Sequence, residues 1–215
     1  MGLLMATQRK LTIFDIDETL FNTTARVRVF DKKTGEVVKL LDNREYNTYK
    51  LARNEEYKIG GPDDSYKEFR SAKHFRETSK PINKMVERLK DDLARAKNSE
   101  GAHQVIIVTA RGDFDEKEIF LDTFRHQGID IDSMRVERAG KIPGPSASAK
   151  KAIFMQYLDK AERESHPFSR VALFDDARTN LDALLSLKAS YPKTKFDAYL
   201  ADHYGSVTKY RANQE

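Results

Sequence analysis

Two aspartates stand two residues apart, Asp15 and Asp17, at the end of the apolar run in KLTIFDIDETLFNT, with Thr19 close behind. A carboxylate at the end of a buried strand is costly unless a cation or a metal partners it. Other polar groups follow apolar runs in the same way. Val105-Ile106-Ile107-Val108 delivers Thr109 and then Ala110-Arg111-Gly112, and Val171-Ala172-Leu173-Phe174 delivers Asp175 and Asp176. Between them Lys150 opens a predicted helix after the Gly/Pro/Ser loop 140–148. If the apolar runs are strands of one parallel sheet, these carboxylates, hydroxyl, ammonium and guanidinium all reach its carboxyl edge, where such folds place their sites.

The rest of the chain supplies elements to position them. Apolar residues alternate between strand and helix periods, the pattern of an α/β protein. Strands are expected over 11–14, 105–109, 134–136, 171–174 and 198–200, several as unbroken apolar runs suited to a sheet covered on both faces. A helix over 81–98 carries Ile82, Met85, Val86, Leu89 and Leu93 on one face, with Pro81 near its start. Asp113 and Glu116 read as a capping box for a helix that ends at Gly128. Further helices are expected over 148–164 and 177–189. Residues 25–80 read differently. Val27, Val29, Val37 and Leu40 flank a turn with Gly35, a hairpin signal. The polar, helix-compatible stretches 43–57 and 65–77 come next, split by Gly60-Gly61-Pro62. The expected organisation is a core of residues 1–24 and 81–215 with an insertion over 25–80.

The 215 residues carry a net charge of +4, 38 basic side chains against 34 acidic, an excess that suits an anionic ligand but does not by itself indicate nucleic acid. The absence of cysteine excludes disulfides, zinc thiolate sites and a cysteine nucleophile. No apolar run approaches the roughly 18 residues of a membrane span. The opening MGLLMATQRK lacks the basic front of a secretory signal, and Ala6 stands where a myristoylation site needs Ser or Thr. A soluble, cytoplasmic protein is expected. The five histidines show no metal spacing and are expected at the surface, and the tail over 209–215 is expected to be frayed.

The set of motifs resembles the haloacid dehalogenase-like (HAD) superfamily. FDIDETL is similar to its first motif, the Thr of VTAR to its second, Lys150 to its third and FDD to its fourth. The resemblance spans about residues 11–185. It implies a Rossmann-like core with helices on both faces of a parallel sheet, a flap hairpin over 28–39 and a small cap. It also implies Mg2+ held by Asp15, the backbone carbonyl of Asp17, Asp175 and Asp176. In the chemistry so implied, Asp15 attacks phosphorus and forms an aspartyl-phosphate, splitting one hard step into two. Asp17 protonates the leaving oxygen and then activates water, while Thr109 and Lys150 bind the phosphoryl group. Each unit-charge repulsion between nucleophile and phosphate is about 4 kcal/mol at 4 Å and an effective dielectric of 20, which the metal and Lys150 would offset. Members acting as dehalogenases lack an acid at the second position, so Asp17 favours phosphoryl hydrolysis.

Lys150 and Lys151 compete for the third-motif role, because successive helical side chains diverge by about 100°. The spacing to Ile153 and Phe154 favours Lys150. Arg111 either forks onto a phosphate or is a solvated loop residue pairing with Asp113 or Asp115. The expected activity is a Mg2+-dependent phosphomonoester hydrolase acting on a phosphorylated small molecule or a nucleic-acid end, with no membrane and no obligate protein partner. Pro81 to Leu89, Thr-Ala-Arg and Phe-Asp-Asp-Ala-Arg also resemble the 3′-phosphatase part of bacteriophage-type polynucleotide kinase–phosphatases, although Glu18 replaces their glycine and no Walker A loop occurs. The alternative is a non-catalytic nucleic-acid or phosphate-end binding module. The basic strip Lys67, Arg70, Lys73 and Arg76, interleaved with Tyr66, Phe69 and Phe75, would serve it, but reads more simply as a solvated face.

Overall fold

The structure is a computed structural model that describes residues 8–142 and 144–212. The chain begins with β1 (Arg9–Phe14), whose last four side chains are buried, and turns through the short β2 (Phe21–Asn22). An antiparallel hairpin comes next, β3 (Val27–Asp31) and β4 (Val37–Leu41), turning at Gly35 with φ +73°. After it lie α1 (Asn43–Thr48) and β5 (Glu55–Glu56), which pairs with β3 to complete a three-stranded sheet. Two short helices, α2 (Lys67–Arg70) and α3 (Ala72–Thr78), lead to β6 (Lys80–Pro81), paired with β2. From there strands and helices alternate: α4 (Asn83–Lys97), β7 (His103–Thr109), α5 (Lys117–Arg125), β8 (Arg135–Arg138), α6 (Ser146–Arg163), β9 (Phe168–Asp175) and α7 (Arg178–Leu185). The last strands are β10 (Lys195–Ala201) and, at the edge of the sheet, β11 (Val207–Tyr210).

The result is a mixed α/β protein built on a six-stranded sheet ordered β11-β10-β9-β1-β7-β8, parallel except for β11. Strand alternation divides the core between its two faces. Leu11, Ile13, Val171 and Leu173 pack with Ile153, Phe154 and Leu158 of α6 and Leu181 and Leu184 of α7. Phe14, Val105, Ile107 and Phe174 pack with Met85, Val86 and Leu89 of α4 and Phe120 and Phe124 of α5. Each such side chain contributes about 1.5–3 kcal/mol on burial. From β1 the chain proceeds outward through β7 and β8, then returns to the other side of β1 through β9 and β10. The strand order therefore reverses between β1 and β9, and a crevice opens at their carboxyl ends. Among the described residues no helix is long and apolar enough to cross a membrane.

Several local expectations are corrected. Pro81 lies in β6 rather than in the first turn of α4, which opens at Asn83. The Asp113–Glu116 capping box does not form; α5 starts at Lys117, and Asp113 instead faces Arg138 at 2.7 Å and Lys141 at 2.8 Å. The helix expected over 43–57 is only α1, closed at its start by a reciprocal Asp42–Glu45 capping box and burying no side chain, so no apolar stripe extends it. The stretch 65–77 breaks at Ser71, whose hydroxyl caps α3 by accepting from His74 N–H. Lys67 and Arg70 thus lie on a different helix from Lys73 and Arg76. His103 is half-buried, with Nε2 at 2.9 Å from the Thr12 hydroxyl. The tail is ordered through β11, where Lys209 reaches the buried Asp197 at 2.8 Å. The opening residues 1–7 and the final residues 213–215 lie outside the described residues.

Candidate active site

β1 ends at Phe14, and Asp15 N–H continues the ladder by donating to the Phe174 carbonyl at 3.0 Å. The chain then folds tightly on itself. The Ile16 carbonyl accepts from Leu20 and Phe21 N–H at 2.9 and 3.0 Å, sealing the turn. Glu18 sits within it at φ +58°, a conformation glycine adopts freely and other residues hold at about 1–2 kcal/mol. Its carboxylate offsets part of this by accepting from Thr23 N–H at 3.1 Å and facing Arg44 at 3.7 Å. The turn leaves Asp15 and Asp17 both buried.

Asp175 is the last residue of β9 and fully buried. Its Oδ1 accepts from Ala177 N–H at 2.9 Å, and Asn180 Nδ2 donates to both carboxylate oxygens at 2.9 and 3.1 Å. Asn180 lies in the first turn of α7 and escapes sequence reasoning; its place just after Asp175 and Asp176 is the one signal that could have marked it. Lys150 resolves the choice between adjacent lysines. It shares the buried face of α6 with Ile153 and Phe154, and its Nζ donates to Asp15 at 2.7 Å and to Asp175 at 2.8 Å. Lys151 is turned aside and half-buried.

Asp15, Asp175 and Asp176 each bring a carboxylate oxygen within 4.8 Å of the others, a group that can hold a metal ion. Burial pushes Asp15 up to about 7, opposed by Lys150 and reinforced by Asp175 and Asp17. Burial, then Asp175 and Asp15, pushes Asp176 up to about 9. The same burial draws Lys150 down, but Asp15 and Asp175 outweigh it and hold the ammonium above its ordinary value. With all three carboxylates ionised against the one ammonium, the group would carry a charge of −2. The donors are all oxygens, so the group fits a hard divalent cation, and such a cation would balance that charge.

Asp17 is held apart from this group. Arg111 Nε donates to its two oxygens at 3.1 and 2.9 Å, and Nη2 donates to Oδ1 at 2.6 Å. Nη1 donates to the Phe69 carbonyl at 3.1 Å, and Nη2 also donates to the Thr23 hydroxyl at 3.2 Å. The guanidinium carbon lies 5.0 and 4.7 Å from the ring centres of Phe69 and Phe75, within cation–π range. The solvated pairing with Asp113 or Asp115 is therefore corrected: Arg111 is buried, and the fork expected to meet a phosphate is turned onto Asp17. Thr109, at the end of β7, is fully buried and accepts from Arg111 N–H at 3.1 Å, which keeps its own hydroxyl proton available to donate.

Gly140 is a second residue that sequence reasoning passes over. A Cβ there would lie 2.3 Å from the Ala110 carbonyl oxygen, 2.6 Å from Gly112 N and 2.7 Å from Arg111 C. The loop after β8 thus packs backbone against backbone on the loop that carries Arg111. One glycine in the run 139–145 has no mark in the sequence to set it apart from its neighbours. No family model matches the chain, and no curated protein or solved structure matches it either.

Proposed function

We propose that the chain is a cytoplasmic, Mg2+-dependent phosphomonoester hydrolase of the haloacid dehalogenase-like superfamily, with a Rossmann-like core, a flap formed by β3 and β4, and a cap formed by the rest of 25–80. The observation that carries this reading is the division of the four acids. Asp15, Asp175 and Asp176 form one oxygen-rich group bridged by Lys150, while Asp17 is clamped separately by Arg111. A nucleophile and an acid–base group need different surroundings; Asp15 belongs to the group that would hold a cation, which would keep it ionised, while Asp17 stands apart from that group against Arg111.

Asp15, Asp175, Asp176 and the Asp17 backbone carbonyl would hold Mg2+, which supplies Lewis-acid stabilisation of negative charge on the phosphoryl oxygens. Asp15 forms a bond to phosphorus as the bond to the leaving oxygen breaks, and Asp17, protonated by the proton that a phosphate monoanion brings into the site, gives that oxygen its proton. Water then attacks phosphorus, Asp17 takes its proton, and the Asp15–phosphate bond breaks to regenerate the carboxylate. Lys150 and the Thr109 hydroxyl bind phosphoryl oxygens through both steps. The turn at Glu18 and the Arg111 clamp hold Asp17 near the leaving group, which is what proton transfer in a transition state requires.

A non-catalytic module that binds nucleic acid finds less support, because the basic strip is divided between α2 and α3 and Lys73 faces Glu77 at 3.9 Å. The test is phosphate release from p-nitrophenyl phosphate with and without Mg2+, in the wild type and in Asp15→Asn. Release that needs Mg2+ and disappears in the variant supports the mechanism. Release without metal, or unchanged in Asp15→Asn, overturns it.

A further inference from the structure

A cavity of about 340 Å³ opens from Asp17 and Arg111 and runs between the 25–80 insertion and the loops after β7 and β8. If Asp17 protonates the leaving oxygen, the rest of the substrate extends into this space, so the cavity's role as a substrate pocket rests on the hydrolase reading. Tyr46, Tyr66 and Phe69 contribute three aromatic rings to its wall. Tyr46 and Tyr66 meet edge to face at 5.7 Å, and their hydroxyls lie 3.1 Å apart, so the two rings brace each other before any ligand arrives. Asn43 and Asn47, one turn apart on α1, add two amides, each both donor and acceptor.

The cations on the wall are already engaged. Arg111 faces Asp17 at 2.6 Å, Arg70 faces Asp64 at 3.2 Å and Lys141 faces Asp113 at 2.8 Å. A polynucleotide strand needs a groove of available positive charge along its backbone and a series of stacking platforms. One braced aromatic wall with amides beside it suits a single planar, hydrogen-bonding ring. The volume agrees, since it lies at the small end of the range of about 300–1,000 Å³ typical of small-molecule sites.

We infer that this cavity seats the base and sugar of one nucleoside monophosphate, the base against Tyr46, Tyr66 and Phe69 and its polar edge toward Asn43 and Asn47. A phosphorylated sugar without a base fills the site poorly, and an oligonucleotide finds no track beyond the first nucleoside.

The test compares kcat/KM for adenosine 5′- and 3′-monophosphate, ribose 5-phosphate and a 3′-phosphorylated oligonucleotide, in the wild type, Tyr46→Ala and Asn47→Ala. The better nucleotide should exceed ribose 5-phosphate by at least about tenfold, and Tyr46→Ala should erase most of that ratio, as loss of one stacking partner does. Asn47 is exposed, so Asn47→Ala tests the same ratio in a protein whose folding is undisturbed. Equal use of ribose 5-phosphate by the wild type overturns the inference and leaves the hydrolase reading standing. Preference for the oligonucleotide overturns it in favour of a strand end. If nothing is hydrolysed, the hydrolase reading falls, and calorimetric binding of adenosine monophosphate decides the cavity. Binding weakened about tenfold in Tyr46→Ala retains the inference, and no binding overturns it.

Discussion

Arg111→Ala tests the buried pair on which the placement of Asp17 depends. The side chains of Arg111 and Asp17 are 0% and 7% exposed, so neither charge has water to fall back on. Deleting the guanidinium strands the Asp17 carboxylate, and one-sided loss of a buried pair destabilises by about 3–5 kcal/mol. The space vacated among Phe69, Phe75 and Phe114 adds to that loss. Domains have about 5–15 kcal/mol of stability in all, so the variant should be folded but markedly weakened. With an m-value of about 2–3 kcal/mol/M in urea, the midpoint should fall by about 1–2.5 M. The second half of the experiment is a rescue. Asp17→Asn in the Arg111→Ala background removes the stranded charge, so the double variant should be more stable than additivity predicts by about 2–3 kcal/mol. Urea titrations of all four proteins, followed by circular dichroism in metal-free buffer, read both quantities. A midpoint shift below about 0.3 M, or simple additivity of the two changes, would refute the view that the pair is one buried, coupled unit. Arg111→Lys refines the point, because lysine keeps the charge but not the fork; in the proposed enzyme it should lower kcat more than it raises KM.

Mg2+ should raise the thermal midpoint of the wild type, by about 2.7 kcal/mol of stability at 100 times its Kd, and Asp175→Asn should abolish the rise in a thermal-shift assay. Gly140→Ala drives a methyl group into three backbone atoms of 110–112, so overpacking should destabilise the protein by about 1–3 kcal/mol, measured by urea unfolding, with Asp17-dependent turnover falling alongside. His103 is held below its ordinary value by burial and by Lys10 and Arg95, with Asp92 opposing. The unfolded chain protonates it near pH 6.5 while the folded state keeps it neutral. Its contribution is therefore present above that pH and lost as pH falls through the lower folded value. His103→Gln should flatten that arm of the stability profile, seen in urea midpoints compared between pH 7.5 and pH 5.

Much of the core can be read residue by residue from the chain. Leu11 to Phe14, Val105 to Thr109 and Val171 to Phe174 are runs too short and too β-branched or aromatic for helices, and each forms a parallel strand. Lys150 can be chosen over Lys151 because Ile153 and Phe154 mark one azimuth of α6 and the partner carboxylates lie on the same side. The insertion is less legible. Short polar helices take their limits from caps such as Asp42 and Ser71, and a cap is a single side chain choosing one backbone N–H among several. The last strand escapes a sequence reading because Val207 to Tyr210 is polar on its own and gains its pairing only from β10.

The candidate site divides in the same way. That Asp15, Asp17, Thr109, Asp175 and Asp176 share one edge comes from apolar runs that end in polar residues, a pattern written in chain order, and Lys150 joins them from the buried face of α6. Which acid faces which cation does not. Arg111 lies 94 positions from Asp17, and Phe69 and Phe75 come from the insertion, so the clamp exists only once β7, α2 and α3 have met. Gly140 and Asn180 likewise matter through neighbours the chain brings to them late. Periodicity and the residue that ends a strand are local properties, whereas the partner of a buried charge is settled by whatever the completed packing leaves within about 3 Å of it.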